Sequence, residues 1–504
     1  FEKFYLFGTQ LHKIVHMFHS QVLLSIASFI LLLASIVSTG KITYDARFGS
    51  NDFPTIEPTN GMLITESCNI KTDHYILPQG IMIKNQKNLV IDFKKAIFEC
   101  NFSNTYPEGV SSGILIENCQ NITITGYGFI KNFYYGIVIR SSSEIFIEGM
   151  NLNRNWRNSA NLWNEGEFTI NPNVKASDYG RDFTSLGGGI FMEDTSDSKI
   201  IESNLQQQNS GITAFNSNRN EISRCFFGKN SAFGLLLRDS NENRVIKNDA
   251  SNCNQVKFED TAGIALIDSH KNRLSQNQIH KCGRGIAQTM SESGAQPLFG
   301  NELSRNVAFS NLVAFDADSC KSPIFYANLA SFSKLDGYQI KNTAGGSMDS
   351  NLAINNARFG IFFYKADSWM VSGNNVTKNA EIGMVVENSE AFNITNNFFV
   401  ENPEQSLSID GVNNALVYNN AFRSSKVHVS TNKATNVFFN IEKAEGVNIV
   451  GGRNKCGNFW DNYDGKDTND DDIGDTGEIP FTDYGKIKVD GDKGPLVLPP
   501  QKKI

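Results

Sequence analysis

The sequence predicts an all-β fold, a right-handed parallel β-helix with three strands per coil and a coil of about 23 residues. Three observations predict it. A glycine followed by alternating apolar residues recurs along the chain. The copies fall at a near-constant spacing, and asparagine returns at fixed positions inside each copy.

The composition agrees. A hydrophobic share of 40% is too high for a disordered chain and leaves a thin core, as a solenoid needs. A chain of 504 residues needs no division into several globular domains, because a solenoid grows by adding coils. The net charge of −7 gives no reason to expect nucleic acid as a partner.

The first element is a leader over residues 1–40. Its core, VLLSIASFILLLASIVS from Val22, is uncharged, follows Lys3 and Lys13, and runs into the small residues Ser38, Thr39 and Gly40. Such a run is a signal peptide or a membrane anchor, and either implies export. The place expected is therefore secreted, periplasmic or anchored at the cell surface, with the membrane touched only through this segment. His12, His16 and His19 share one helical face ahead of the run and read as part of a tail. Export permits disulfides, and the eight cysteines contain no CxxC pair of the zinc or thioredoxin kind.

A cap at 41–79, a β-helix at 80–450 and an acidic terminal segment at 451–504 follow. The coils read GILIENCQNITITG from Gly113, GIVIRSSSEIFIEG from Gly136 and GIFMEDTSDSKIIESN from Gly189. They continue as GITAFNSNRNEISRC from Gly211, GLLLRDSNENRVIKN from Gly234 and GIALIDSHKNRLSQN from Gly263. Gly337, Gly360 and Gly383 begin three further copies, evenly spaced by 23. Short runs of alternating Ile, Val and Phe separated by Asn, Ser and Asp are strands and turns, too short for helices. Strands recurring in one order without hairpins pair in parallel, and parallel crossovers are right-handed.

Asn248, Asn277, Asn351, Asn374, Asn397 and Asn420 each fall fourteen residues after a coil start. Asn230, Asn356, Asn379 and Asn402 fall nineteen after. Equal phases stack in space, so these side chains should form ladders at the corners. Cys253 and Cys282 share the second phase in adjacent coils, which leaves open a disulfide or two buried thiols.

Two stretches carry a family resemblance. ITESCNIKTDHYILPQGIMIKNQKNLVIDF from Ile64 resembles the cap and first coil of NosD-like β-helix proteins, within the pectin-lyase-like superfamily. NFWDNYDGKDTNDDDIGDTGEIPF from Asn458, followed by DKGPL from Asp492, is similar to the terminal segment of many NosD-like and surface proteins. With the coils, the resemblance covers about 60–498. It implies the carbohydrate-binding and sugar-hydrolase type of β-helix, export and association with carbohydrate. A copper-binding label accompanies the family in places, but Met and His are scattered here and form no soft-ligand cluster.

Two candidate sites follow. Asp467, Asn469, Asp471, Asp475 and Glu478 fall at positions one, three, five, nine and twelve of a calcium-loop pattern, with the Ile473 carbonyl at seven. Asp472 stands where that pattern has glycine. A structural calcium ion is the expected cofactor. The second site is a groove. Extra residues precede Gly113, Gly189 and Gly263, and the longest insertion carries Trp156 and Trp163. Loops at one corner would wall the first-strand face, whose outward side includes Glu117, Arg140, Glu193, Phe215 and Arg238, with Phe191 alongside.

Asp194, Asp239 and Asp268 begin the next turns, and His270 follows. Glu193, Asp194, Arg238 and Asp239 are the catalytic candidates for acid–base work. Arg140, Phe191, Phe215, Trp163, Asp268 and His270 are the glycan-contact candidates. The expected partner is extracellular polysaccharide or a cell-surface glycan, met by a monomer. Whether the chain is an enzyme stays open. A polysaccharide lyase, uronate epimerase or glycoside hydrolase is one reading, and a structural or adhesive surface rod is the alternative.

Overall fold

The computed structural model describes residues 52–100, 111–155, 187–253, 261–289, 300–475 and 491–499, with strands at 481–482 and 485–486. The leader, Trp156, Trp163 and Glu478 lie outside the described residues. The chain divides into Phe1–Phe53 and Pro54–Ile504, and the coils belong to the second unit.

Among the described residues the strands form three stacks. First strands build a 15-stranded sheet from Met62–Leu63 to Val427–Asn432. Second strands build a 16-stranded sheet from Thr55–Ile56 to Thr435–Phe438. Third strands form a three-stranded sheet near the start and a ten-stranded sheet ending at Phe459–Trp460. Neighbours in all of these sheets pair in parallel, so the fold is the right-handed parallel β-helix that the repeat predicts. Parallel pairing begins at Thr55 and Ile56, inside the expected cap. The last parallel strand pair sets Ala421 and Phe422 against Phe459 and Trp460, inside the expected terminal segment, and Phe459 bridges on to Leu496.

The coil-starting glycines have a steric cause. A Cβ on Gly211 would stand 2.5 Å from the Gly234 carbonyl oxygen, and one on Gly360 would stand 2.6 Å from that of Gly383. The next coil's backbone occupies the space a side chain would need. The turn after each first strand has its own rule. Asn118, Ser141, Asp194, Asn216, Asp239, Asp268, Ser319, Asn342, Lys365 and Asn388 all take φ between 43° and 57°. Asn and Asp tolerate this left-handed conformation better than other non-glycine residues.

Asparagine forms the expected ladders. One runs without a break through Asn248, Asn277, Asn306, Asn328, Asn351, Asn374, Asn397, Asn420 and Asn458. Each Oδ1 accepts the backbone N–H of its counterpart one coil earlier, and each Nδ2 donates to a carbonyl. Asn356, Asn379 and Asn402 form a second ladder. Asn220, Asn243, Asn272 and Asn301 form a third at another corner. Cys253 and Cys282 continue the second phase as free thiols, the Cys253 N–H donating to Cys282 Sγ at 3.3 Å. Sulfur takes the place of the ladder's amide oxygen there.

Candidate functional site

Strand register sets three outward columns on the first-strand face. The column at the strand ends reads Lys84, Glu117, Arg140, Glu193, Phe215, Arg238 and Ile267 in successive coils. The expected outward residues therefore do stand in one line. Arg140 Nε lies 3.1 Å from Glu193 Oε2, and Arg238 Nε lies 3.6 Å from Asp239 Oδ2. Glu193 and Asp239 are open to solvent while Arg238 is partly buried, and at such a surface ion pairs contribute little to stability.

Asp194, Asp239 and Asp268 occupy the left-handed turn position, so backbone conformation already accounts for their residue type. Asp194 Oδ1 accepts from Asn216 Nδ2 at 2.6 Å. Burial, and then Asp268, push the Asp239 carboxyl upward, with Arg238 opposing. Burial lowers the His270 imidazole against the pull of Asp268 and Asp239.

The floor of this upstream stretch differs from the expected groove. Phe191 is only 5% exposed, packed with Tyr135, Val138 and Phe215, its ring 5.2 Å from that of Tyr135. It is core rather than an open platform for a sugar; of the two expected phenylalanines only Phe215 keeps an accessible surface. Phe233, Leu236, Ala262 and Ala265 bury the following coils in the same way. The pleat points these residues outward, yet each is buried.

Downstream the same face changes character. Four strands, Arg284–Thr289, Val313–Asp318, Tyr338–Lys341 and Phe359–Tyr364, stand in register. Their middle column reads Ala287, Asp316, Gln339 and Phe362, and their end column Thr289, Asp318, Lys341 and Tyr364. Asp316 is 4% exposed, with Arg284 Nε at 3.1 Å from Oδ2 and no hydrogen-bond partner for Oδ1. Burial raises its carboxyl above the usual range, against the pull of Arg284 and Lys341.

Asp336 is fully buried and fully paired. Arg358 grips it with Nε at 2.8 Å and with Nη2, Gln339 Nε2 donates at 3.2 Å, and the Phe359 N–H at 3.3 Å. The Arg358 guanidinium in turn lies over Phe359 at 4.7 Å and Phe362 at 5.8 Å. The Phe362 ring stacks on Tyr364 at 6.3 Å. Phe359, Phe362 and Tyr364 are half-buried, so a strip of three partly open rings borders a patch of fixed charge.

The acidic terminal loop is wrapped around Asp467. Asp467 Oδ1 accepts the N–H groups of Asn469 and Asp471, and Oδ2 accepts that of Asp472 at 2.7 Å. Asp472 makes the sharp turn that glycine makes in the pattern, at φ 65°, and its buried carboxylate accepts from Arg453 N and Nε. Asp475 accepts from Thr468 and Asn469, and the Thr468 N–H and hydroxyl hold its carboxyl below the usual range. Asp471 pairs with Lys443 at 3.0 Å. The Ile473 side chain is buried, and its backbone bridges Leu496.

A family model described as periplasmic copper-binding protein (NosD) matches residues 65–263 and 300–465, well over half of the chain. The chain belongs to the NosD family. No curated protein matches it. Among solved structures, a mutant of the periplasmic alginate epimerase AlgG is 12% identical, covering 73% of this chain and 78% of that one, at a TM-score of 0.36. The A-module of a mannuronan C-5 epimerase from Azotobacter vinelandii is 8% identical, with 74% and 90% covered, at 0.33. An N-terminal fragment of bacteriophage Phi29 gene product 12 is 12% identical, with 73% and 66% covered, at 0.42. Similarity at this level carries no activity to this NosD-family chain.

The copper in the family's description finds no fitting donor set among the described residues. No three His, Cys, Asp or Glu side chains are grouped to hold a metal. The cysteines are buried, and the His280 ring stacks on Phe309 while His428 Nε2 bonds Asp461. Copper prefers converging soft or imidazole ligands, and these are spread along the solenoid.

Proposed function

We propose that this NosD-family protein acts outside the cytoplasm and binds polysaccharide along its first-strand face, at Phe359, Phe362 and Tyr364. One observation carries the reading: three partly open rings lie on one strand beside the Arg358–Asp336 pair. Flat rings take the apolar face of a sugar, and rigid charged and amide groups take its hydroxyls. Packing and ion pairing fix these groups in advance, so binding orders few side chains. The family's periplasmic description supports the location.

A glycan array, run with assays for reducing and unsaturated ends, tests the proposal. Phe362→Ala and Tyr364→Ala should each weaken glycan binding at least about tenfold, as truncated aromatic anchors do, with the fold retained. An array without binding, or variants that bind like the parent, would overturn it and favour the structural rod. Asp316 favours an enzymatic extension. A buried carboxyl with a raised affinity for protons and an unpaired oxygen suits proton transfer. Product formation lost in Asp316→Asn would establish that extension, and binding without product would exclude it.

We further propose that the loop from Asp467 takes a structural calcium ion. Its support is the oxygen-rich sequence and the turn made by Asp472; the loop's carboxylates now accept hydrogen bonds from the loop itself and would turn from them to take the ion.

A further inference from the structure

The first-strand face leaves unused a cleft on the third-strand face near the start of the solenoid. The cleft has a volume of about 390 Å³, within the range of small-ligand sites. Its floor is built by stacking. Ile97, Phe129 and Asn151 occupy one position of three successive coils. Phe129 is 43% exposed, which leaves its ring open as an apolar platform within the cleft.

Polar groups converge around that platform. Asn151 Oδ1 is buried and accepts no hydrogen bond. Such an acceptor is costly to leave unpaired, and a ligand hydroxyl would satisfy it. Arg154 and Lys131 line the rim, and their surroundings differ. Lys131 lies 3.0 Å from Glu99, which also accepts from His74 and Asn132. Arg154 donates from Nε to the neutral Gln207 Oε1 at 3.0 Å and has no carboxylate partner among the described residues. The uncompensated charge on the rim is therefore positive, presented by a fork that suits a carboxylate.

We infer that this cleft is a second saccharide subsite, separate from the first-strand face, and that it takes an acidic sugar unit of a uronate chain. The sugar ring lies on Phe129, a hydroxyl donates to Asn151 Oδ1, and the carboxylate meets Arg154. The inference does not depend on the first-strand reading, since the two sites share no residue.

The test is calorimetric titration of the full chain with trimannuronate and trigalacturonate, and with maltotriose as the neutral control. At least one uronate trimer should bind, more weakly as salt rises, while maltotriose fails to compete for the same site. Arg154→Gln and Phe129→Ala should each weaken uronate binding at least about tenfold, and Phe362→Ala should leave it unchanged. Arg154 lies on the rim, so Arg154→Gln keeps the test decisive if Phe129→Ala disturbs folding. Binding of neither trimer, equal binding of maltotriose, or uronate binding indifferent to Arg154→Gln would each overturn the inference. Uronate binding lost in Phe362→Ala and kept in Phe129→Ala would overturn it too, while supporting the first-strand site.

Discussion

Replacing Asn374 with alanine tests whether the asparagine ladder holds the solenoid together. Asn374 is fully buried. Its Oδ1 accepts the Asn351 N–H at 2.8 Å and Asn351 Nδ2 at 3.0 Å. Its Nδ2 donates to the Met348 carbonyl at 2.9 Å and to Asn397 Oδ1 at 2.9 Å. Asn397 Oδ1 keeps the Asn374 N–H as a donor, and Asn351 Nδ2 keeps Phe325 O, so those two groups lose only one bond each. The Asn351 N–H loses its ladder acceptor and the Met348 carbonyl its ladder donor, both far from water. At about 1–3 kcal/mol for each stripped buried group, Asn374→Ala should cost about 4 kcal/mol. The neighbouring Asn375, half-buried with its side chain turned to Thr377, serves as control and should change stability by about 0.5 kcal/mol or less on truncation. Urea unfolding measures both, and hydrogen exchange should show the loosening centred on 348–397. A loss below about 1 kcal/mol for Asn374→Ala, or one equal to that of Asn375→Ala, would refute the ladder as a stabilising element.

Two further predictions concern the C-terminal end. Asp492 is buried there, accepting from Asn458 N at 2.7 Å, Trp460 Nε1 at 2.8 Å and Gly494 N at 3.1 Å, yet burial still pushes its carboxyl up to about 6. The folded state therefore holds this proton more tightly than the unfolded state. Its contribution is fully present below about pH 4 and is lost as pH rises through about 6, a change on the order of 3 kcal/mol. Asp492→Asn should flatten the decline in stability between those limits relative to the parent, as read by thermal unfolding across pH, and an unchanged slope would refute the assignment. For the loop from Asp467, calcium should raise the melting temperature and a chelator should reverse the rise. Lys443→Met, which frees Asp471 from its ion pair, should strengthen calcium binding, whereas melting insensitive to both calcium and chelator would remove the ion.

What the sequence showed and what it hid have physical causes. Coil starts were legible because the next coil's carbonyl leaves only about 2.5 Å for a Cβ, so glycine marks the position. Ladder asparagines were legible because one amide accepts the N–H of the coil before and donates to a carbonyl at the same time, and so recurs at the same phase coil after coil. The coil at Val313–Asp318 was not legible because Ala314 replaces the marker glycine, and Asp316 and Asp318 lie in that coil. The alternating FDAD in that strand was the available signal, since period two turns both acids to the outer face. The insertions lie upstream instead, near acids such as Asp194 and Asp239 that stand in the left-handed turn. Phe191 and Phe362 show the limit most clearly. Both stand in the same outward column of the first-strand sheet, so periodicity cannot tell them apart. One is buried and the other is partly open, because direction is set by the pleat of a single strand while exposure depends on the side chains packed beside it, which for Phe191 are Tyr135, Val138 and Phe215.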